Sequence, residues 1–341
     1  MKTENHTVFD AEALPLINPK GEDVLAVIIK ATFDFDAEPS ADQVPVDFGD
    51  RFYDEAEGGG VYYESDIVAF KPATDIVLCA TAHAPDREPA ESVPVSVRAG
   101  LAEKHLVVFG ERFWNYAGVL SRRYKITRAK PFVRKSIVYK DAFGGIDPDT
   151  GAFCAENLSG TGLYNPKSRK DLAGKPLPCI EDPRFFIQSV KDRPPPAGLG
   201  FISRAWQPRA QYAGTYDEHW RKNVSPAPPE DFSARFYNGA HPDLRVKGYL
   251  QGDEPVELTN LTENGFVRFD LPGIKPYCRV HTQSDSRPVS MNLDTLFIEP
   301  DHGRYTLVWR GAVNVEDPSC PGVESIEIDA RHPDMPERRA S

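Results

Sequence analysis

The sequence predicts a mainly β fold: antiparallel β-sandwich-like sheets with long Pro/Gly-rich ordered loops and little helix. Three observations carry that prediction. Apolar residues recur with a period of two, the spacing that puts alternate side chains on one face of a strand. The alternating runs are short and are separated by Gly, Pro and Asp. The 341 residues include 31 prolines, nearly twice the usual share of roughly 5%, and proline breaks helix interiors.

In chain order, the first clear strand is Leu25 to Phe35. Its odd positions Leu25, Val27, Ile29, Ala31, Phe33 and Phe35 are apolar, and Lys30, Thr32 and Asp34 between them are polar. One buried side and one open side are expected. Ile76 to Ala82 follows. Val93, Val95, Val97, Ala99 and Leu101 then alternate with Ser92, Ser96 and Arg98. Leu106 to Phe109 and Val133 to Tyr139 are further strands. The last third repeats the pattern in Val256 and Leu258, in Val267, Phe269 and Leu271, in Tyr305, Leu307 and Trp309, and in Ile326 and Ile328.

Between about 144 and 245 the alternation stops and proline clusters appear, as in Pro176-Leu177-Pro178, Pro194-Pro195-Pro196 and Pro228-Pro229. The same stretch keeps many aromatic residues, which a flexible linker would lack. It reads as long ordered loops with polyproline segments, pinned to the sheets by their aromatic side chains. Asp217 to Lys222 is expected to form one helical turn capped by Thr215 or Asp217. A single domain is expected over 1–330, against a division near residue 245, with the polar tail 331–341 disordered.

Composition narrows the function. Lys and Arg number 40, Asp and Glu 51, for a net charge of −11. That balance argues against a nucleic-acid or anionic-membrane surface. No apolar run spans a bilayer, and no secretory signal is seen at the start. The five cysteines, Cys79, Cys154, Cys179, Cys278 and Cys320, form no CxxC and read as reduced thiols of a cytoplasmic protein.

No catalytic, cofactor or metal motif assembles. The eight histidines form no HxH or HExxH. Asp147-Pro148-Asp149-Thr150-Gly151 has a calcium-loop rhythm, but Leu158 stands where a bidentate Glu belongs, so an Asx turn is expected. Gly160-Thr161-Gly162 has Asn165 in place of the third glycine of a dinucleotide fingerprint and reads as a turn with unusual φ. There is no GxSxG. Carboxylate pairs such as Asp253 with Glu254, or Asp294 with Glu299, keep open a carbohydrate-active or carbohydrate-binding β-sandwich.

Two features suit binding instead. From Arg122 to Lys135 lie seven basic residues and no acid, including Arg122, Arg123 and Lys125. This is either a solvated face or a docking patch for an acidic partner. Trp206, Arg209, Tyr212, Tyr216 and Trp220 are either loop anchors or partly exposed partner contacts.

An ordered set of strings then resembles a known bacterial family. It opens with Lys71-Pro72-Ala73-Thr74-Asp75, Gly110-Glu111-Arg112-Phe113-Trp114, Ala142-Phe143-Gly144-Gly145, and Asn157 with Gly160 and Gly162. It continues with Pro176-Leu177-Pro178 before Ile180-Glu181, Pro196-Ala197-Gly198-Leu199-Gly200, Trp206 with Pro208-Arg209, and Ala213-Gly214-Thr215-Tyr216-Asp217 with Trp220. It closes with Pro229 and Asp231-Phe232, Asn238-Gly239-Ala240 with Pro242-Asp243, Gly252-Asp253-Glu254, Asp294-Thr295 and Trp309-Arg310. From Val24 to Trp309 the chain resembles the type VI secretion effector adaptors, first catalogued as a domain of unknown function, family twenty-one sixty-nine. It departs from that pattern at Cys79-Ala80 and at Lys140-Asp141. The resemblance implies a chaperone and not an enzyme, with no cofactor. Its implied partners are a toxin effector and a spike protein or proline-alanine-alanine-arginine tip domain, with no nucleic acid and no membrane. The region from about 194 to 245 is expected to face the partner.

Overall fold

A computed structural model describes residues 1–53, 60–118, 123–165, 171–283, 285–314 and 322–331. Arg122, Cys320 and all of the tail but Arg331 lie outside the described residues. Strands hold 41% of the chain and helical turns 9%, so the fold is mainly β as the alternation predicts. The central sheet has five strands, in the order Asp10–Ile17, Asp23–Asp34, Arg304–Asn314, Asn292–Glu299, Asp75–Leu78. Neighbours run antiparallel except Asp75–Leu78, which is parallel to Asn292–Glu299. A second five-stranded sheet is antiparallel throughout, in the order Ile180–Glu181, Ala102–Phe109, Ser92–Ala99, Pro255–Thr259, Phe266–Asp270. A third sheet joins Lys2–Asn5, Val323–Arg331, Lys275–Thr282 and Ser286–Val289. No helix among the described residues is long and apolar enough to cross a membrane.

One hydrophobic cluster joins all three sheets. It takes Val27, Ile29 and Phe33 from the first, Val95, Leu106 and Leu258 from the second, and Val280 and Ile326 from the third. Members of this cluster come from both sides of residue 245. Phe269 of the second sheet stacks on Tyr305 of the central sheet, with ring centroids 4.9 Å apart. Burying each such side chain contributes roughly 1.5–3 kcal/mol.

The strand over Leu25 to Phe35 departs from expectation on its polar side. Lys30 and Thr32 are as fully buried as Ile29, because residues between 43 and 67 cover that face. Val46 and Ile67 pack on Ile28 and Val308. Lys30 Nζ pairs with Asp47 at 2.7 Å and Asp66 at 2.8 Å, and lies 4.0 Å from the centre of the Tyr63 ring. The Gln43 side chain accepts from the Thr32 N–H and donates to the Thr32 carbonyl. The polar residues of this strand are therefore ligands for a covering loop and do not mark a water face.

Two further corrections are local. Leu101 follows Gly100 in the turn between Ser92–Ala99 and Ala102–Phe109 and is 99% exposed, so the alternation ends at Ala99. Val133 to Tyr139 shortens to Arg134–Ser136, paired with Thr81–His83. Asp147 forms the expected Asx turn, accepting from the Asp149 N–H and the Thr150 hydroxyl. Gly162 takes φ 101°, the unusual value expected there.

Candidate partner-binding surface

Apart from the short strands Thr161–Gly162 and Ile180–Glu181 and short helical turns such as Glu218–Asn223, the described residues between 144 and 245 form loops. The basis of their order is long-range polar fastening. Arg209 is 3% exposed. Its guanidinium grips both oxygens of Glu64, one at 2.7 Å, and donates to the carbonyls of Phe236 at 2.7 Å and Ile202 at 2.6 Å. Trp206 is also buried and meets the Tyr139 ring edge-on at 5.5 Å. These two residues hold the loops onto the body and offer little surface to a partner.

The next segment turns outward. Thr215 donates its N–H and hydroxyl to Asp231 at 2.9 and 2.8 Å, and these bonds hold the Asp231 carboxyl below its ordinary range. Asp217 caps the helix Glu218–Asn223 by accepting from the Trp220 N–H at 2.8 Å, one of the two expected caps. The Trp220 indole donates to the Ala227 carbonyl at 2.8 Å and is half-buried. Tyr216 packs edge-on against it at 4.6 Å, yet is 56% exposed. Tyr212 is half-buried beneath the Arg235 guanidinium. Of the five residues in this group, Tyr216 alone is an exposed aromatic anchor.

Arg123 and Lys125 are exposed and belong to a separate hairpin, Trp114–Tyr116 with Tyr124–Ile126. That hairpin is fastened to residues 171–175 through Tyr124 and Trp114. Much of the basic run is neutralised from elsewhere: Arg128 by Glu91, Lys130 by Glu111, Arg134 by Asp301 and Lys135 by Asp141. The aromatic group and the basic hairpin are thus fastened to different segments of the chain.

Other exposed apolar side chains lie outside the residues read as partner contacts. Ile146 and Phe153 bridge the Asp147 turn and are 59% and 62% exposed. Their only sequence signal is their place on either side of an Asx turn. Phe185 ends the Asp182-capped turn and Phe186 follows it; both are also exposed, with Phe186 edge-on to Phe109 at 6.1 Å. Among the described residues no group of three or more His, Cys, Asp or Glu is placed to share a metal ion.

Several quoted strings meet one another inside the fold. Asp75 accepts from Lys71, from the Asn238 amide and from the backbone N–H of Gly239. Arg112 pairs with Glu181 and donates to the Pro178 carbonyl, over the Phe109 ring. Arg310 pairs with Asp294. The family described as an uncharacterized protein conserved in bacteria (DUF2169) matches residues 20–310. The chain belongs to the DUF2169 family. No curated protein and no solved structure matches it. In this DUF2169 chain, the strings that carry the resemblance are mostly fastenings between loops and sheets. They specify a scaffold, and within them Tyr216 is exposed.

Proposed function

We propose that this DUF2169 protein is a cytoplasmic adaptor that binds a toxin effector of a type VI secretion system and helps load it onto the spike tip. The resemblance of the ordered strings motivates the reading. The observation that carries it is the loop layer itself: fastened by the buried Arg209–Glu64 pair, it presents Tyr216, Phe185 and Phe186 to solvent. A stiff surface with a few aromatic anchors loses little entropy on binding. A standard interface of roughly 1,600 Å² needs such anchors more than broad hydrophobicity. On this reading the chain holds another macromolecule and breaks no bond.

The carbohydrate reading gains no support from the residues named for it. Asp294 is paired with Arg310, and Glu299 with Arg304 and the Tyr62 hydroxyl. Glu254 accepts from the backbone of Gln251 and Gly252. Trp114, Trp206 and Trp309 are buried and Trp220 is half-buried, so no tryptophan offers an open sugar platform. In the native bacterium, removing this chain should stop the secretion of one toxin effector, and re-expression should restore it. Unchanged secretion of every effector overturns the proposal.

A further inference from the structure

The strand Phe266–Asp270 ends one side of the second sheet, and its outer edge is open. Its inner edge pairs with Pro255–Thr259 in an unbroken antiparallel register. Bonds at the two ends fix which backbone groups point inward. The Asn260 N–H donates to the Gly265 carbonyl, and the Leu271 N–H to the Glu254 carbonyl at 3.0 Å. Hydrogen bonding alternates along an antiparallel strand, so Val267 and Phe269 turn their backbone groups inward and Arg268 and Asp270 turn theirs outward. Among the described residues no other backbone segment bonds to Arg268 or Asp270.

The other edges of the three large sheets are covered or blunted. Pro15 interrupts Asp10–Ile17 and Pro288 interrupts Ser286–Val289. Asp75–Leu78 and the short Ile180–Glu181 are buried throughout, and Lys2–Asn5 carries no apolar side chain. An open edge recruits a further strand unless proline, charge or a covering segment prevents it. Phe266–Asp270 contains no proline and no lysine, and its Phe266 is 58% exposed. The strand is also held in shape, because Phe269 stacks on Phe35 at 4.6 Å and on Tyr305 at 4.9 Å.

We propose that two copies of this chain join through the Phe266–Asp270 edge, antiparallel and centred on Phe269. In that register Arg268 of each copy faces Asp270 of the other. Both residues of such a pair have their backbone groups outward, so each pair exchanges both of its N–H···O bonds. The Arg268 and Asp270 side chains are exposed on one face of the sheet and meet as cross-strand ion pairs. At each end the exposed Phe266 falls opposite the half-exposed Pro272 of the second copy, which has no N–H to leave unpaired. The neighbouring registers fit worse. Centring on Arg268 sets two guanidiniums against each other, and centring on Val267 puts Asp270 opposite Asn264, which carries no charge. Charge complementarity therefore selects a second copy as the occupant and Phe269 as the axis. So short a contact belongs at the small end of protein interfaces, below roughly 1,200 Å², and a micromolar dissociation constant is expected. Self-pairing of this edge is independent of the adaptor reading, since it involves no effector.

The test is sedimentation equilibrium of the full chain across the micromolar range, with thermal unfolding of every variant. The wild type should dimerise. Arg268→Asp and Asp270→Arg each set like charges opposite one another in both pairs, and each should weaken the dimer about tenfold or more. Both positions are exposed, so unfolding should stay cooperative. The double variant, Arg268→Asp with Asp270→Arg, restores opposite charges in both pairs and should return dimerisation to near the wild-type constant. Should Arg268→Asp fold poorly beside Glu257, which pairs with Arg268 at 3.2 Å, Asp270→Arg carries the test alone. A wild type that stays monomeric at every concentration overturns the inference, including one whose edge takes up a strand of another protein instead. A dimer left intact by either folded single variant, or not restored by the folded double variant, also overturns it.

Discussion

Lys30 shows how far a single side chain departs from its sequence neighbourhood. It is fully buried between Asp47 and Asp66 in a strand that otherwise reads as half-exposed. A buried charge keeps its place only when paired, and removing one partner strands the others without water. Lys30→Met is therefore expected to cost about 3–5 kcal/mol, read as a lower urea midpoint with an unchanged slope. Gly110 makes a similar point through sterics. A β-carbon there would lie 1.8 Å from the Lys130 carbonyl oxygen, backbone that has no side-chain freedom to yield. Gly110→Ala should destabilise well beyond the ~1 kcal/mol of an ordinary substitution, with the loss visible in thermal unfolding.

At the level of elements, the turn Pro242–Leu244 is tied to the second sheet by one charged cluster. Lys104 pairs with Asp182 and Asp243 at 3.0 Å each, and Arg184 reaches both carboxylates. His241 caps the turn by accepting from the Asp243 N–H at 3.2 Å. Burial, reinforced by the Lys104 charge, lowers the His241 imidazole to about 4 from its ordinary 6.5. The unfolded chain therefore binds a proton that the folded chain refuses between pH 6.5 and about 4, and stability falls as the pH drops through that window. Burial pushes the Asp182 and Asp243 carboxyls up, but Arg184 and Lys104 outweigh it and hold both below their usual range. Their stabilisation is present above the ordinary carboxylate pKa near 3.8 and is lost below it. His241→Asn keeps a capping acceptor and cannot titrate. Chemical denaturation at a series of pH values should show a flatter stability slope from 6.5 to 4 in this variant, and an unchanged slope contradicts the assignment.

Elements were legible in the sequence where one rule governed them. Val93, Val95, Val97 and Ala99 face the core as their spacing predicts, and Asp217 caps the helix it precedes. Reading failed where a distant segment set the environment. The polar face of Asp23–Asp34 is closed by residues that begin some way along the chain, and no local period reports a covering loop. Trp206 and Arg209 were legible as special residues but not as buried ones, because Glu64, the partner of Arg209, lies 145 positions away. The basic run looked like a free patch for the same reason: its acids, Glu91, Glu111, Asp141 and Asp301, all lie outside it.

The whole molecule divides into a scaffold and a surface. Of the residues that seemed functional, Arg209 is held in a buried ion pair, Trp206 is buried, Tyr212 and Trp220 are half-buried, and Tyr216, Arg123 and Lys125 stay exposed, as do Phe185 and Phe186. Exposed aromatic side chains of this kind should be removable at a cost within about 0.5 kcal/mol each, whereas truncating an interface anchor costs 2 kcal/mol or about thirtyfold in affinity. The most direct test is co-purification from the native cell of tagged wild-type chain and of a Tyr216→Ala, Phe185→Ala, Phe186→Ala triple variant, with thermal unfolding of both. The account expects the wild type to carry a toxin effector in stoichiometric amount, and the variant to lose it with its unfolding temperature nearly unchanged. A triple variant that retains the effector in full, or a wild type that brings down no secretion component, contradicts it.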